Sequence, residues 1–522
     1  MVGDYKKSEL ILGLVAPVGV DLEYVQKLIS DYLSPFNYGL NEIRLSKIIK
    51  TLEFGIKIYE KPEHKRISSL MDAGNKAREK TKRDDILAAL AIYDILKKRK
   101  PVNGKDGEPE PLFERVHLIR SLKHPDEVFL LKKVYSHGFF LLGFFSSYKD
   151  RYDYLTKQKG MTEKQAERLI ERDQYESIPH GQRTRNVFYL ADAFIDMSSK
   201  DHKEQIRRII WLLFGHPYTT PTRDEYAMFL AFSASLRSAD LSRQVGAVVV
   251  SESKEIISTG ANDVPKYGGG LYWSDDGEND FRDYKKKHDY NESQRNEILL
   301  NIIKQFSDFK DLENERLLEI GKILFTEKNK ILQETTKLLS VFKDLENERL
   351  LEIGKILLDY TGLFDIAEYG RSVHAEMEAL ISCARVGVSP RNGILYTTTF
   401  PCHNCAKHIV AAGIREVVFV EPYPKSKALL LHDDSIFLEH ESKQDKIENK
   451  VKFRQFVGVG PSRFFDLFSM KLSTGRILVR EIEGKIVDWK PKKTSLRVPI
   501  LPTSYIQREM DVVDELEKKK FK

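Results

Sequence analysis

The segment ELILGLVAPVGVDLEYVQKLISDYL passes from an apolar run through a Gly-containing turn into an amphipathic stretch, which predicts a buried strand followed by a helix. The same alternation continues through the first two hundred residues. VFLLKKVYSHGFFLLGFF reads as a helix and then a buried strand, and NVFYLADAFID as a short buried strand or the start of a helix. KKRKPVNGKDGEPEP, from Lys97 to Pro111, is a polar surface loop. A connecting segment follows from about Met197 to Thr220. A second unit opens with PTRDEYAMFLAFSASLRSADLSRQVGAVVV, where Asp224 is placed to cap a helix through Leu236 and the β-branched run Val245 to Val250 predicts a strand.

One departure from this pattern is a duplication. FKDLENERLLEIGKIL stands at Phe309 to Leu324 and again, letter for letter, at Phe342 to Leu357, an offset of 33 residues. An offset of three 11-residue periods returns to nearly the same helix face, so the copy preserves an apolar stripe through Phe309, Leu312, Ile320 and Ile323. Two copies are too few for a solenoid. The expectation is a helical insertion over about 285–360, packed on its own domain or on a neighbouring subunit, or else a charged helix facing solvent.

At 522 residues the chain is long enough for two to four domains. Hydrophobic residues make up 41% and charged residues 31%, which suits a globular chain with a large core and excludes a wholly disordered one. Lys and Arg total 84 against 78 for Asp and Glu, a mild excess that argues only weakly for a polymeric anion as partner. Leu10 to Val20 is interrupted by Pro17 and lacks a cleavage pattern, so it is not read as a signal peptide. Gly138 to Phe145 is far short of the roughly 20 residues that a spanning helix needs, so no membrane partner is expected.

Two positions near the start bear on phosphate chemistry. Gly13 and Gly19 flank the first turn, but Val20 and Asp21 stand where the Lys and Ser or Thr of a GxxxxGK[ST] loop would follow Gly19. The loop is either a tight turn or a degenerate nucleotide-sensing site. Phosphoryl transfer by it is not expected, and ATP or GTP binding stays open.

Three cysteines, Cys383, Cys402 and Cys405, rule out a disulfide framework and point to a reducing, cytoplasmic location. Cys402 and Cys405 belong to PCHNCAKHIVAAGI, and RSVHAEMEAL places His374 and Glu376 upstream. H-x-E followed by P-C-x-x-C is the recognised signature of the zinc nucleobase deaminases. One imidazole and two thiolates give Zn2+ three ligands and leave a fourth tetrahedral position for water. Glu376, two residues from His374, points away from the ligand direction and is suited to shuttling protons. Cys402 and Cys405 share one face of a helix starting near Pro401, whose N-terminus favours thiolates. His403, His408 and Cys383 are not expected to be ligands, and Cys383 reads as a small buried residue.

RQVGAVVV, STGANDVP, HAEMEAL and LYTTTFPCHNCAKHIVAAGIREVVFVEPYPKS together resemble the deoxycytidylate deaminase branch of the cytidine deaminase fold. With FVGVGPSRFFDLF and the degenerate kinase-like start, the whole chain is similar to the two-domain bacterial anti-phage dCTP deaminases. The resemblance implies an α/β protein with a P-loop NTPase-like three-layer domain over 1–200, a connection over 201–220, and a cytidine deaminase-like α/β/α sandwich over 221–475. An extension follows over 476–522. It assigns one Zn2+ to His374, Cys402 and Cys405, proton shuttling to Glu376, and substrate contact to Asn262. Gly268, Gly269 and Gly270 form either a lid near the substrate phosphates or an ordinary flexible loop.

The implied reaction is hydrolytic deamination of a free deoxycytidine nucleotide, dCTP or dCMP, in defence against phage. A homo-oligomer, commonly a hexamer in the family, and control by an inhibitory RNA or a regulatory nucleotide are implied with it. Two rivals remain. A polynucleotide cytosine or adenine deaminase needs a basic groove with stacking aromatics, which the sequence around His374 and Pro401 lacks. A nucleotide- or RNA-sensing regulator would have no use for an intact HxE and PCxxC.

Overall fold

The computed structural model describes residues 8–52, 55–99, 109–174, 176, 180–294, 297–298, 369–421, 426–439, 449–473, 475–500 and 502–518. Both copies of the duplicated segment, and most of the expected insertion, lie outside these residues.

Strand β1 (Leu10–Val15) leads through the Pro17–Val20 turn into α1 (Leu22–Leu33), as its apolar-to-amphipathic pattern requires. Asp21 caps that helix, its Oδ1 accepting the N–H groups of Glu23 and Tyr24 at 3.0 Å. β2 (Gly39–Arg44), α2 (Glu63–Thr81) and α3 (Ile86–Lys97) follow, then β3 (Arg115–Arg120), α4 (Pro125–Tyr135), β4 (Phe139–Phe145), β5 (Ala193–Asp196) and α5 (His202–Leu213). The five strands pair in parallel in the order β5-β4-β1-β3-β2.

Strand residues of period two separate the faces. Leu10, Leu12 and Leu14 bury against α1 and α5, while Ile11 and Val15 belong to the core that includes α3 and α4. The expected connection over 201–220 is therefore partly a helix of the first core, because Ile206, Ile209, Ile210 and Leu213 bury one face of α5.

The second sheet begins with α6 (Arg223–Ser235), β6 (Gly246–Val250) and β7 (Ile256–Ala261). Asp224 is not the cap. Thr222 is, because Glu225 three residues on completes a capping box with it, and Asp224 instead pairs with Arg454 at 2.7 Å. Further along the chain come α7 (Ala375–Val386), β8 (Ile394–Thr399), α8 (His403–Ala411), β9 (Glu416–Glu421), β10 (Ile436–Leu438) and β11 (Val451–Gln455). The strand order is β10-β11-β9-β8-β6-β7, antiparallel only where β6 meets β7 and β8. Val248 and Val250 face α6, whereas Ala247 and Val249 face α7 and α8, so helices cover both faces of this sheet.

After β11 the chain changes sheets. β12 (Gly458–Val459) adds antiparallel to β5 as the edge of the first sheet. Leu467, Phe468, Leu496 and Val498 bury in the first core, and Tyr505, Ile506, Val512 and Leu516 of α9 (Pro502–Lys518) do so on the opposite face of the same sheet. On sequence, residues to 475 belong with the second unit and 476–522 form an appendage. The structure instead folds 458–518 onto the first. The two units also share a core, in which Phe194 meets Phe456 edge to face at 5.8 Å. Among the described residues, no helix is long and apolar enough to cross a membrane.

Candidate metal and proton-transfer site

Two helix N-termini meet beneath the second sheet. His374 is the N-cap of α7 and Cys402 the N-cap of α8, each in an extended backbone conformation. Their convergence depends on a residue with no side chain. A Cβ on Gly260 of β7 would lie 2.5 Å from the amide nitrogen of Ala379 and closer still to the carbonyl oxygen of Ala375, so only glycine lets α7 approach the sheet. Asp263 then fixes the entry to the helix. Its backbone carbonyl accepts the N–H of Val373, and its carboxylate, 1% exposed, accepts those of Ala239 and Val264 and faces Arg282 at 3.6 Å.

The Nδ1 of His374 lies 3.3 Å from the Sγ of Cys402 and 3.3 Å from that of Cys405. Zn–S and Zn–N bonds of about 2.3 and 2.0 Å, set at tetrahedral angles, would separate the donor atoms by about 3.5 Å. The donor set and its spacing fit a tetrahedral zinc ion. Among the described residues, these three form a group able to hold a metal.

Their protons are shared. The Cys402 thiol is pulled down to about 4, first by its hydrogen bond with Cys405 and then by His374. His374 is pushed up to about 9 by the hydrogen bond to Cys402. Cys405 rises through its hydrogen bond with Cys402 and through burial. The α8 N-terminus adds to this, the N–H of Cys405 pointing at the Sγ of Cys402 across 3.4 Å.

Glu376 occupies the first turn of α7 and is 4% exposed. One carboxylate oxygen is 3.3 Å from the Sγ of Cys405, and the other is 3.5 Å from the hydroxyl of Thr397. Burial raises its carboxyl above the usual carboxylate range. The group is thus able to hold a proton beside the metal ligands and to give it up again.

Other expected residues fall as follows. Asn262 uses its side chain on the backbone, Nδ2 donating to the carbonyl of Arg243 at 2.8 Å and Oδ1 accepting the N–H of Val245 at 2.6 Å. Gly268, Gly269 and Gly270 all take positive φ, and a Cβ on Gly269 would meet Arg385 at 3.0 Å. Arg385 in turn pairs with Glu378 at 2.6 Å. Cys383 is fully buried, 3.1 Å from the hydroxyl of Ser258. Gly13 lies within β1 and not in the turn, where a Cβ would meet Leu122 and Phe139 at 2.8 Å, so packing explains it. Gly19 does sit in the turn, at φ 99°.

Sequence reasoning passed over Thr397 and Asp263. It also found no aromatic surface near His374, yet the loop after Asp263 exposes Tyr267, Trp273 and Phe281, with Arg237 stacked 3.4 Å over Trp273. Their distance from HxE in sequence hid them.

Residues 221–421 match the family described as "Cytidine and deoxycytidylate deaminase zinc-binding region". This stretch is a deaminase-family domain. Among curated relatives, ComE operon protein 2 of Bacillus subtilis is 42% identical over 53 residues, 10% of this chain and 28% of that relative. Deoxycytidylate deaminase of Enterobacteria phage T2 is 42% identical over 55 residues, 10% of this chain and 29% of the relative. The chain thus spans under a third of the length of either. Among solved structures, the dCMP deaminase of cyanophage S-TIM5 in complex with dCMP and dUMP aligns over 46% of this chain and 100% of its own, at 14% identity and a TM-score of 0.22.

Proposed function

We propose that the chain hydrolyses the exocyclic C–N bond of a free deoxycytidine nucleotide, dCMP or dCTP, in a zinc-dependent reaction. The observation that carries the reading is the buried carboxylate of Glu376 beside a His374, Cys402 and Cys405 donor set, inside a deaminase-family domain. The phage T2 relative carries the name deoxycytidylate deaminase, which favours dCMP within the substrate class.

His374, Cys402 and Cys405 would hold the metal, which when bound supplies Lewis acidity. Glu376 takes a proton from the attacking water and delivers protons to ring N3 and to the departing amino group. C4 gains an oxygen and loses nitrogen as ammonia, so cytosine plus water becomes uracil plus ammonia. The Thr397 hydroxyl, which donates to the carbonyl of Thr399 at 3.0 Å, lies 3.5 Å from the Glu376 carboxylate. Asn262 retains one amide proton beyond that donated to Arg243, sufficient for a substrate hydroxyl.

On this reading the reaction draws down deoxycytidine nucleotides, and with them dCTP, during phage infection, in the cytoplasm, and the first unit acts as a kinase-like regulator of the second. Assembly as a homo-oligomer and control by an RNA or a nucleotide belong to the same proposal. The aromatics of the 267–281 loop support a second reading, deamination of a single-stranded polynucleotide. A panel of dCMP, dCTP, CTP and a single-stranded oligonucleotide, assayed for ammonia release, separates the two. Release from dCMP or dCTP is expected, and release from the oligonucleotide alone overturns the leading reading.

A further inference from the structure

A cleft of about 270 Å3 opens in the first unit at the carboxyl ends of β1, β2 and β3. In parallel sheets this is the edge at which ligands bind. Its volume falls just under the usual range for ligand pockets, roughly 300–1,000 Å3, which suits a ligand no larger than a mononucleotide.

The wall toward β2 and β3 is cationic. Arg44 and Arg120 both reach one carboxylate oxygen of Glu42, so two guanidinium groups share a single acid. The other acidic partner of Arg44 is Glu23, at 3.0 Å, whose side chain is 67% exposed and therefore a screened counter-charge. Lys123 lies beside them, and its partner Asp173 stands behind the cleft wall at 2.7 Å. A phosphate could not use the α1 N-terminus, because Asp21 already takes its amides. The arginines are where an anion would sit.

The rest of the lining is mixed: Leu70, Met71 and Leu87 form an apolar strip, Glu63 pairs with Arg66 beside it, and Gln182 lines the cleft as well. Gln182 is 5% exposed, and its Oε1 has no hydrogen-bond partner among the described residues. Arg120, 8% exposed, likewise leaves its Nε unpartnered. A buried acceptor and a buried donor left open in one cleft are costly unless a ligand meets them.

We propose that this cleft binds a nucleoside phosphate, its phosphate on Arg44 and Arg120, its base against Leu70, Met71 and Leu87, and a base N–H donating to Gln182. The site stands on the first unit's geometry alone, whether or not the second unit deaminates. The test is equilibrium dialysis of the full-length protein against AMP, GMP, TMP, UMP and inorganic phosphate. At least one nucleotide should bind saturably below about 1 mM, one per chain. Arg44→Glu should weaken it at least tenfold. Gln182→Leu removes an unpartnered acceptor, so it should fold as the parent does yet also weaken binding and shift the preference among bases. No saturable binding to any probe overturns the proposal. So does binding that survives both substitutions, since the ligand then sits elsewhere. Inorganic phosphate binding as tightly as every nucleotide overturns the nucleoside part and leaves an anion site.

Discussion

The Glu225 carboxylate accepts the backbone N–H of Val459 at 2.8 Å, across 234 residues of sequence. The same carboxylate pairs with Arg208 of α5 at 2.6 Å and accepts the N–H of Thr222 at 2.7 Å, with its side chain fully buried. One charged group thus ties a helix of the first unit, the start of the second and the strand that returns. Glu225→Ala leaves Arg208 without its partner and should destabilise the protein by about 3–5 kcal/mol in urea unfolding. A loss below about 1 kcal/mol would show that the tie is not energetic.

Glu376→Gln should lower ammonia release from dCMP or dCTP by about 100- to 10,000-fold while zinc content, measured by elemental analysis, stays at the parent's level. A rate equal to the parent's would falsify the proton-shuttle role.

Replacing either His374 or Cys402 by Ala should remove the metal as well as the activity, since two ligands cannot hold a catalytic zinc ion. Chelation of the parent should abolish ammonia release, and added Zn2+ should restore it. Activity that persists in metal-free protein contradicts the donor set assigned here.

Gly260→Ala forces a methyl group into the backbone of α7 at Ala375 and Ala379. The cost in stability should be about 1–3 kcal/mol, the range for overpacking. Zinc affinity should fall with it, because His374 moves with the helix. A variant with parental metal affinity would show that α7 can yield without disturbing its N-cap.

Acid should unfold the first unit partly through Glu42. Burial alone would raise its carboxyl, but hydrogen bonds from Arg44 and Arg120 reverse this and hold it below the usual range. A carboxylate with a lowered folded pKa contributes stability above its unfolded value of about 4.3, and that contribution disappears as pH falls through the folded value. The melting temperature of Glu42→Gln should therefore be lower than the parent's at pH 7 and converge with it below about pH 4. Parallel curves down to about pH 3 would exclude the assignment.

The candidate donor set stood out because its residues fall in two short motifs at helix starts, His374 with Glu376 and Cys402 with Cys405, while the contact between the two motifs, 28 residues apart, is made by the fold. The strand at Gly246–Val250 was legible from a local run too. Local reading failed where two signals competed, as at Asp224 and Thr222, both able to cap. Glu225 was the arbiter, because a capping box needs its acid three residues on. It failed wholly where pairing spans hundreds of residues. Nothing in FVGVGPSRFFDLF says that Gly458 will pair with Phe194 and Val459 with Ala193, rather than with a strand of the second sheet that the chain has just left. Gly13 looked like part of a loop because glycine marks both turns and tight packing.

Buried deep in the first unit, Arg99 holds Glu9 at 2.9 Å and Glu509 at 2.7 Å, so residues from opposite ends of the chain meet on one guanidinium. That contact sets an order of events during synthesis. When α5 leaves the ribosome, Arg99 and Glu9 have each other but lack the second acid, and the sheet lacks its edge strand. The missing pieces emerge only after the intervening residues have been translated, about 15–60 s later at roughly 5–20 residues per second. The second unit has its own strands in hand before then. Until Gly458 to Lys518 has been translated, the first unit therefore lacks the second acid of Arg99, its edge strand and the helix that covers one face of its sheet.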